Sequence, residues 1–146
     1  MINLVFKLRN WLDSSNFLSI IFRPLILFVY RGVLLLYGSS VPLNAKFKGV
    51  PVFPHSLYGI FISGDAVIGD NVTIFQQVTI GSVTSKGSKN QGSPKIGSGV
   101  VIGAGAKIIG GIVIGNNVKI GANCVVVQDV PDGATVVLSP SRVILK

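Results

Sequence analysis

The chain has 146 residues, of which 13 are basic and 5 acidic, giving a formal charge of +8, and 49% are hydrophobic. This length allows one domain with its own core and at most a small appendage. The positive charge indicates an anionic partner, but a nucleic acid is not expected because aromatic side chains do not alternate with the lysines and arginines in the six-residue repeats described below. The single cysteine, Cys124, excludes an internal disulfide, and we expect it to be a core residue.

The first forty residues predict helices. Apolar residues recur at helical spacing over residues 2–13, which predicts a short amphipathic helix. The segment from Phe17 to Tyr37 is nearly all apolar, but Arg23 and Arg31 interrupt it, and a charged side chain near a bilayer centre costs about 2.5–3.5 kcal/mol. We therefore expect residues 1–40 to lie in a membrane interface or against other subunits, rather than to span a bilayer or form a cleavable signal sequence.

A six-residue period organises the chain after residue 55. An aliphatic residue occupies every sixth position in two runs, and a small or aliphatic residue stands two places before each of them. These column residues are Ile62, Ile68, Ile74, Ile80, Ile96, Ile102, Ile108, Ile114, Ile120 and Val126. A period of six fits neither a helix nor a simple strand, so it predicts an all-β solenoid of three-sided coils whose column residues point inward. An ordinary β-sandwich is disfavoured because it needs turn signals at ~8–12-residue spacing.

Glycine follows most column residues directly. These glycines suit tight corners, where a Cβ would crowd its neighbours or a positive φ is needed. They are Gly69, Gly81, Gly97, Gly103, Gly115 and Gly121.

The regular register begins and ends in less regular segments. We expect residues 41–146 to form one β-helix domain with an irregular first coil. Ile80 and Ile96 are sixteen residues apart, so the polar, glycine-rich residues 82–94 predict a protruding loop, which is more often functional than not. Residues 131–146 are expected to fold back as a cap over the last coil.

His55 is the only histidine in the chain. A lone histidine is usually structural, but His55 lies outside the column, at the junction of the irregular and regular coils. No other side chain is a better candidate for a general base near neutral pH. A three-histidine metal site cannot be built from one histidine, and no metal is expected.

Several motifs resemble the hexapeptide-repeat acetyltransferases, most closely the serine acetyltransferase group. They are His55–Ile62, Ala66–Gly69, Val72–Gly81, Ser93–Gly97, Ile102–Lys107 and Lys119–Ala122. The resemblance covers about residues 41–144. It implies a left-handed parallel β-helix, a homotrimer, and acetyl-CoA held in a groove between adjacent subunits.

The resemblance also implies roles for individual residues. His55 would act as the general base of a direct acetyl transfer, because His55 to Gly59 matches the family's catalytic segment. Residues expected to line the cofactor groove, with Lys119 or Arg142 near the phosphates, are Ser82, Ala104, Lys107, Lys119, Ala122 and Arg142. A solvated face explains Lys107 and Lys119 equally well.

The sequence departs from the serine acetyltransferase pattern around the acceptor. Pro54 replaces an Asp before the histidine, Gly92 and Ser93 replace an Arg-His pair, and residues 40–44 hold no acid to orient the base. These losses remove charge-assisted bonds to a zwitterion and favour a neutral sugar hydroxyl. The sequence thus resembles the short O-acetyltransferases of polysaccharide or lipopolysaccharide synthesis.

Two alternatives remain open. One is a serine O-acetyltransferase, and the other is a non-catalytic, membrane-associated β-helical scaffold. For an acetyltransferase the expected acceptor is a small molecule or a glycan. We expect a cytoplasmic protein, and the apolar helices favour the inner face of the membrane.

Overall fold

The computed structural model describes residues 2–12 and 17–139. Helices α1 (Ile2–Leu12) and α2 (Phe17–Leu36) precede the strands, which are two or three residues long. The strands in this part of the chain are β1 (Lys46–Phe47), β2 (Phe61–Ile62), β3 (Val67–Ile68), β4 (Thr73–Ile74), β5 (Thr79–Gly81), β6 (Lys95–Ile96), β7 (Val101–Ile102), β8 (Lys107–Ile109), β9 (Val113–Ile114), β10 (Lys119–Ile120), β11 (Val125–Val126) and β12 (Thr135–Val136).

The strands form three parallel sheets that the chain visits in turn. Sheet A contains β2, β5, β8 and β11, sheet B contains β1, β3, β6 and β9, and sheet C contains β4, β7, β10 and β12. Each strand pairs with the strand one coil later, so column residues meet column residues, as Ile68, Ile96 and Ile114 do in sheet B. The structure confirms the predicted all-β fold, a left-handed parallel β-helix with an N-terminal helical part.

The column residues form the core. Each of them is at most 4% exposed, and the small residues two places before them are also buried. Cys124 occupies one of these small inward positions and is buried, as expected. Because each coil covers the apolar residues of the next, the hydrophobic stabilisation is shared along the whole solenoid.

The corner glycines are needed for close contact between coils. A Cβ on Gly69 would stand 2.6 Å from the carbonyl of Gly97, and one on Gly97 would stand 2.6 Å from the oxygen of Gly115. Positive φ falls two residues later in the same corners, at Asn71 and Gly99. The corner glycines are therefore needed for close contact rather than for positive φ, which an asparagine or a second glycine adopts.

Helix α1 covers the open N-terminal end of the β-helix. Val5 and Phe6 are buried, and the Phe6 ring lies 5.4 Å from the ring of Phe47 and 6.0 Å from that of Phe53. Every solenoid must cover its exposed core end, and α1 does so within the same chain. This role could not be predicted from the sequence, because helical periodicity shows an apolar face without showing what the face packs against.

Arg9 fastens α1 to the first coil. Its side chain is only 7% exposed, and its guanidinium donates hydrogen bonds to the carbonyls of Pro42 (2.9 Å), Leu43 (2.8 Å) and Ala45. The guanidinium carbon also lies 4.9 Å from the centre of the Phe47 ring. A buried cation is tolerated here because carbonyl dipoles and an aromatic face replace water.

We expect the Arg9→Met variant to lose about 3 kcal/mol of unfolding free energy, because three carbonyls lose a charged donor. Urea unfolding followed by circular dichroism measures this change. The matched control is Lys7→Met, since Lys7 is exposed on the same helix. Equal losses of unfolding free energy in the two variants would show that the Arg9 hydrogen bonds do not hold α1 to the first coil.

Helix α2 packs along the first coil on one side. Tyr30 and Leu34 are buried, and the Tyr30 hydroxyl donates to the Val41 carbonyl at 2.6 Å. Pro24 lies inside this helix. Within residues 2–12 and 17–139, neither helix has the length and apolar character needed to cross a membrane.

Residues 82–94 form a hairpin that folds back against the next coil. Val83 and Gly92 exchange two backbone hydrogen bonds of 2.9 Å, and the Gly111 amide donates to the Asn90 carbonyl at 2.9 Å. A Cβ on Gly111 would stand 2.5 Å from the Gln91 oxygen. The absence of a side chain at Gly111 therefore allows the loop to pack against the backbone of this coil.

Candidate active site

A lengthened corner carries His55. Val52 is aligned with Thr73 and Phe61 with Thr79, yet Val52 and Phe61 are nine positions apart while Thr73 and Thr79 are six apart. The difference is an insertion of three residues between sheets C and A. The buried side chains of Leu57 and Ile60 hold the inserted turn to the core, so His55 is left on the outside.

Positive φ and hydrogen bonds fix the path of this turn. Ser56 and Gly59 have φ of 61° and 64°. The Gly59 amide donates to the Tyr37 carbonyl at 3.0 Å, and the Gln77 amide donates to the Tyr58 carbonyl at 2.8 Å. The backbone beside His55 is therefore tied both to the end of α2 and to the next coil.

The His55 imidazole is exposed and lies beside one aromatic ring. Its centre is 5.8 Å from the centre of the Phe75 ring, at an interplanar angle of 46°. Within the described part of the chain the imidazole has no hydrogen-bond partner, and both ring nitrogens are available to a substrate. A general base must have such a free nitrogen within reach of the proton it accepts.

The described aspartates lie away from His55. Asp65 and Asp129 are at corners between sheets A and B, whereas Asp70 and Asp132 are at corners between sheets B and C. Asp129 accepts the Val113 amide, and Asp132 accepts the Asn116 amide, both at 2.8 Å. Asp129 and Asp132 therefore stabilise the corners by accepting backbone amides. Residues 17–139 of this chain supply no carboxylate that could orient the His55 ring.

Small residues continue below His55 along the same edge. We call this run of corners between sheets C and A the C–A edge, formed by residues 53–60, 75–77, 103–105 and 121–123. Ala104 and Ala122 lie on it in successive coils, where the Asn123 amide donates to the Ala104 carbonyl at 2.8 Å. The lower part of the edge is thus open to an extended ligand lying against the backbone.

The two predicted lysines lie on either side of this edge. Lys107 is in sheet A, and its ammonium donates to the Gln77 carbonyl at 2.8 Å, so it reaches the C–A edge. Lys119 is in sheet C, where its exposed side chain precedes the inward Ile120. Lys107 can therefore contact an anion bound along the edge, and Lys119 lies two residues before the corner 121–123.

The remaining predicted residues are not at the C–A edge. Ser82 starts the hairpin loop at the edge between sheets A and B. Arg142 lies outside the described residues. The structure therefore brings together His55, Ala104 and Ala122, with Lys107 and Lys119 at their sides, and leaves Ser82 on another edge of the same chain.

Three residues of the inserted turn and the coil below it have no role predicted from the sequence. Phe75 supplies the ring beside the imidazole, Gln76 next to it has a buried side-chain oxygen with no hydrogen-bond partner among the described residues, and Tyr58 is exposed. A signal was available for the first, because Phe75 stands directly after a column residue, where glycine stands in the later coils. A bulky residue there indicates that the coil below the insertion is shaped for contact with the inserted turn.

The hexapeptide repeats match a known family model. Residues 93–128 match the model described as bacterial transferase hexapeptide (six repeats). The chain is 40% identical over 141 residues to the serine acetyltransferase of Salmonella typhimurium, covering 97% of this chain and 49% of that protein. It is 47% identical over 103 residues to the probable serine acetyltransferase 1 of Oryza sativa, covering 70% of this chain and 33% of that one. The chain spans about half or less of the length of these relatives.

Solved structures show the same relationship. The serine acetyltransferase of Neisseria gonorrhoeae superposes with a TM-score of 0.68 at 38% identity, covering 82% of this chain and 47% of that chain. Isoform 3 from Entamoeba histolytica, solved in complex with cysteine, gives 0.69 at 28% identity, covering 99% of this chain and 61% of that one.

These relatives correct the acceptor expected from the sequence. The prediction of a sugar hydroxyl is wrong, since the relatives and solved structures named above are serine acetyltransferases. They do not support the predicted closest kinship with polysaccharide O-acetyltransferases. The loss of three charged groups is not positive evidence for a neutral acceptor. Missing groups weaken one way of binding a zwitterion without identifying another substrate.

Proposed function

We propose that this chain, a hexapeptide-repeat protein homologous to the serine acetyltransferases, transfers acetyl from acetyl-CoA to the hydroxyl of serine. The observation that carries the proposal is the position of His55, exposed with free ring nitrogens at the head of the C–A edge. The relatives supply the acceptor and the acyl donor. Incubation with acetyl-CoA and L-serine, followed by mass spectrometry for O-acetylserine, tests it, and a lack of product would refute it.

The chemistry needs one proton acceptor. His55 takes the proton of the serine hydroxyl as the oxygen attacks the thioester carbonyl, and backbone N–H groups stabilise the resulting oxyanion. When the carbonyl re-forms, the carbon–sulfur bond breaks and the CoA thiolate takes the proton back from the imidazolium. The products are O-acetylserine and CoA, and no acyl-enzyme forms.

Acetyl-CoA is proposed to lie along the C–A edge. Its pantetheine arm would run past Ala104 and Ala122, where short side chains leave the backbone open, with the thioester towards His55. Lys107 and Lys119 are the cations we assign to its phosphates, and Arg142 is the third cation proposed for them.

A homotrimer would complete this site. The edge is open on one subunit, and Ser82 lies on a different edge, so a neighbouring copy placed against the C–A edge could bring its own Ser82 to the groove. Acetyl-CoA would then lie between subunits.

We also propose that the carboxylate of serine is held without a cation at position 92. Gly92 has a φ of 126°, and a Cβ there would stand 3.2 Å from the Gly111 Cα, so an arginine is disfavoured at that position.

Blocking the small-residue edge tests where acetyl-CoA binds. We expect Ala104→Leu to raise the KM for acetyl-CoA about tenfold or more, because the added carbons would occupy the space of the pantetheine arm. The KM for serine should change less than twofold. Initial rates at varied acetyl-CoA give both constants.

The matched control is Val113→Leu, an enlargement of an exposed side chain in sheet B. It should leave both constants unchanged. An unchanged KM for acetyl-CoA in Ala104→Leu would show that acetyl-CoA does not follow this edge.

A further inference from the structure

Helix α2 has a second apolar face that nothing in the described chain covers. Its inner face holds the buried Tyr30 and Leu34. The opposite side carries large apolar side chains with more than half of their surface exposed. They are Ile21 (52%), Leu25 (59%), Phe28 (76%), Leu35 (80%) and Leu36 (84%), which we call the outer face.

Helical geometry places these residues in one stripe. At 3.6 residues per turn, the outer face spans roughly 100° of the helix surface and is centred about 170° from the line between Tyr30 and Leu34. Gly32 falls within the stripe, and no charged residue does. A continuous exposed apolar surface of this kind marks an interaction site more often than a free surface.

The charged residue beside the outer face is Arg31, which lies at about 40° from the nearest edge of the stripe, at Leu35. The other arginine of α2, Arg23, lies on the side of Tyr30 and Leu34. From residue 17 to residue 64 there is no acidic residue, whereas Arg23, Arg31, Lys46 and Lys48 are all exposed. Lys7 on α1 is also exposed.

A groove opens beside this face, between α2 and the first coil. Its volume is about 480 Å³, and Arg31, Leu35, Ser39, Ser40 and Leu43 are among the residues that line it. It therefore combines one cation and the hydroxyls of Tyr30, Ser39 and Ser40 with aliphatic walls. That combination suits a molecule with an anionic head and an aliphatic tail.

We propose that the outer face of α2 docks on the surface of a bilayer containing anionic lipids. The helix would lie in the interface with Phe28 and Leu35 among the acyl chains, while Arg31 binds a headgroup phosphate at the mouth of the groove. An apolar stripe with Arg31 beside it has the two contributions that interfacial binding requires, buried apolar area and attraction to anionic lipid. This docking is independent of the acetyl-transfer proposal, because α2 lies outside the C–A edge.

A second copy of the chain fits this surface less well. Self-association through the outer face would place Arg31 of each copy at the interface, without any carboxylate from residues 17–64 to pair with it. Like charges across an interface oppose association, whereas an anionic bilayer neutralises them. Charge complementarity therefore favours the lipid surface.

Co-sedimentation of the full chain with vesicles tests the proposal. We expect binding to vesicles of phosphatidylcholine with phosphatidylglycerol, and much weaker binding to phosphatidylcholine alone. The double variant Phe28→Ser and Leu35→Ser should reduce the partition coefficient about tenfold or more. Arg31→Gln should reduce it about fivefold, the effect of one cation near an anionic surface.

The matched control is the double variant Val113→Ser and Val125→Ser, which removes exposed apolar side chains from the β-helix. It should bind vesicles as the wild type does, and acetyl transfer in solution should be equal in the wild type and the α2 variants. Failure of the wild type to bind anionic vesicles overturns the proposal, as does equal loss in the control. Light scattering adds a third test, because a lower molar mass in the α2 double variant would identify the face as a contact between copies and overturn docking on lipid.

Discussion

The His55→Ala variant is expected to lose about 10²–10⁴-fold in kcat for acetyl transfer to serine, the usual contribution of a general base. The serine hydroxyl is a poor nucleophile without a base, and His55 is the only histidine in the chain. The KM for acetyl-CoA should stay within about twofold, since the imidazole acts on the acceptor rather than on the cofactor. Initial rates of CoA release at saturating acetyl-CoA measure the loss.

Stability separates this effect from misfolding. The His55 side chain is exposed, so the midpoint of thermal unfolding should be unchanged in His55→Ala. Val113→Ala, a substitution of an exposed residue in sheet B, is the matched control and should retain full activity. Full activity in His55→Ala would mean that another group accepts the proton.

Shortening one column residue is expected to cost more stability than any surface change. We expect Ile108→Ala to lower the free energy of unfolding by about 2–5 kcal/mol, because the cavity it leaves cannot collapse between rigid coils. Ile108 is fully buried and stacks between Ile80 and Val126 in sheet A. Chemical denaturation with linear extrapolation gives the difference.

Val113→Ala provides the comparison, because Val113 is an outward-facing residue of sheet B with 49% of its surface exposed. Its effect should be within about 0.5 kcal/mol of zero, as is usual for surface positions. A loss in Ile108→Ala no larger than in Val113→Ala would show that the column does not hold the coils together.

The architecture could be predicted because the repeat expresses a single physical requirement. Each coil must present an inward aliphatic residue at the same position, so Ile62 and its successors are spaced by six, and this spacing is visible without any three-dimensional information. The interruption between Ile80 and Ile96 likewise indicated a loop outside the stack. The structure adds that the loop is a hairpin that packs against Gly111 of the next coil.

Contacts between different parts of the chain could not be predicted in this way. The burial of Arg9 against three carbonyls depends on where α1 meets the first coil, and local periodicity does not encode that meeting. The contact between His55 and Phe75 depends on a corner three residues longer than the others. Such features follow from the path of the backbone rather than from the repeat.

Substrate identity is still harder to predict from one chain. The absence of acids at residues 40–44 and of a cation at Gly92 removed familiar partners for serine, and this favoured a sugar in the sequence analysis. Recognition depends on the sum of contacts in the assembled groove, part of which a neighbouring copy is proposed to supply. Charge counting along one sequence therefore does not identify the acceptor.

The most direct test of the account is the initial rate of CoA release, followed by a free-thiol reagent, with L-serine present and absent. We predict a rate that rises and saturates with L-serine in the wild type and remains at the acceptor-free level in His55→Ala. A wild-type rate that is the same with and without L-serine would contradict the account and favour a non-catalytic scaffold.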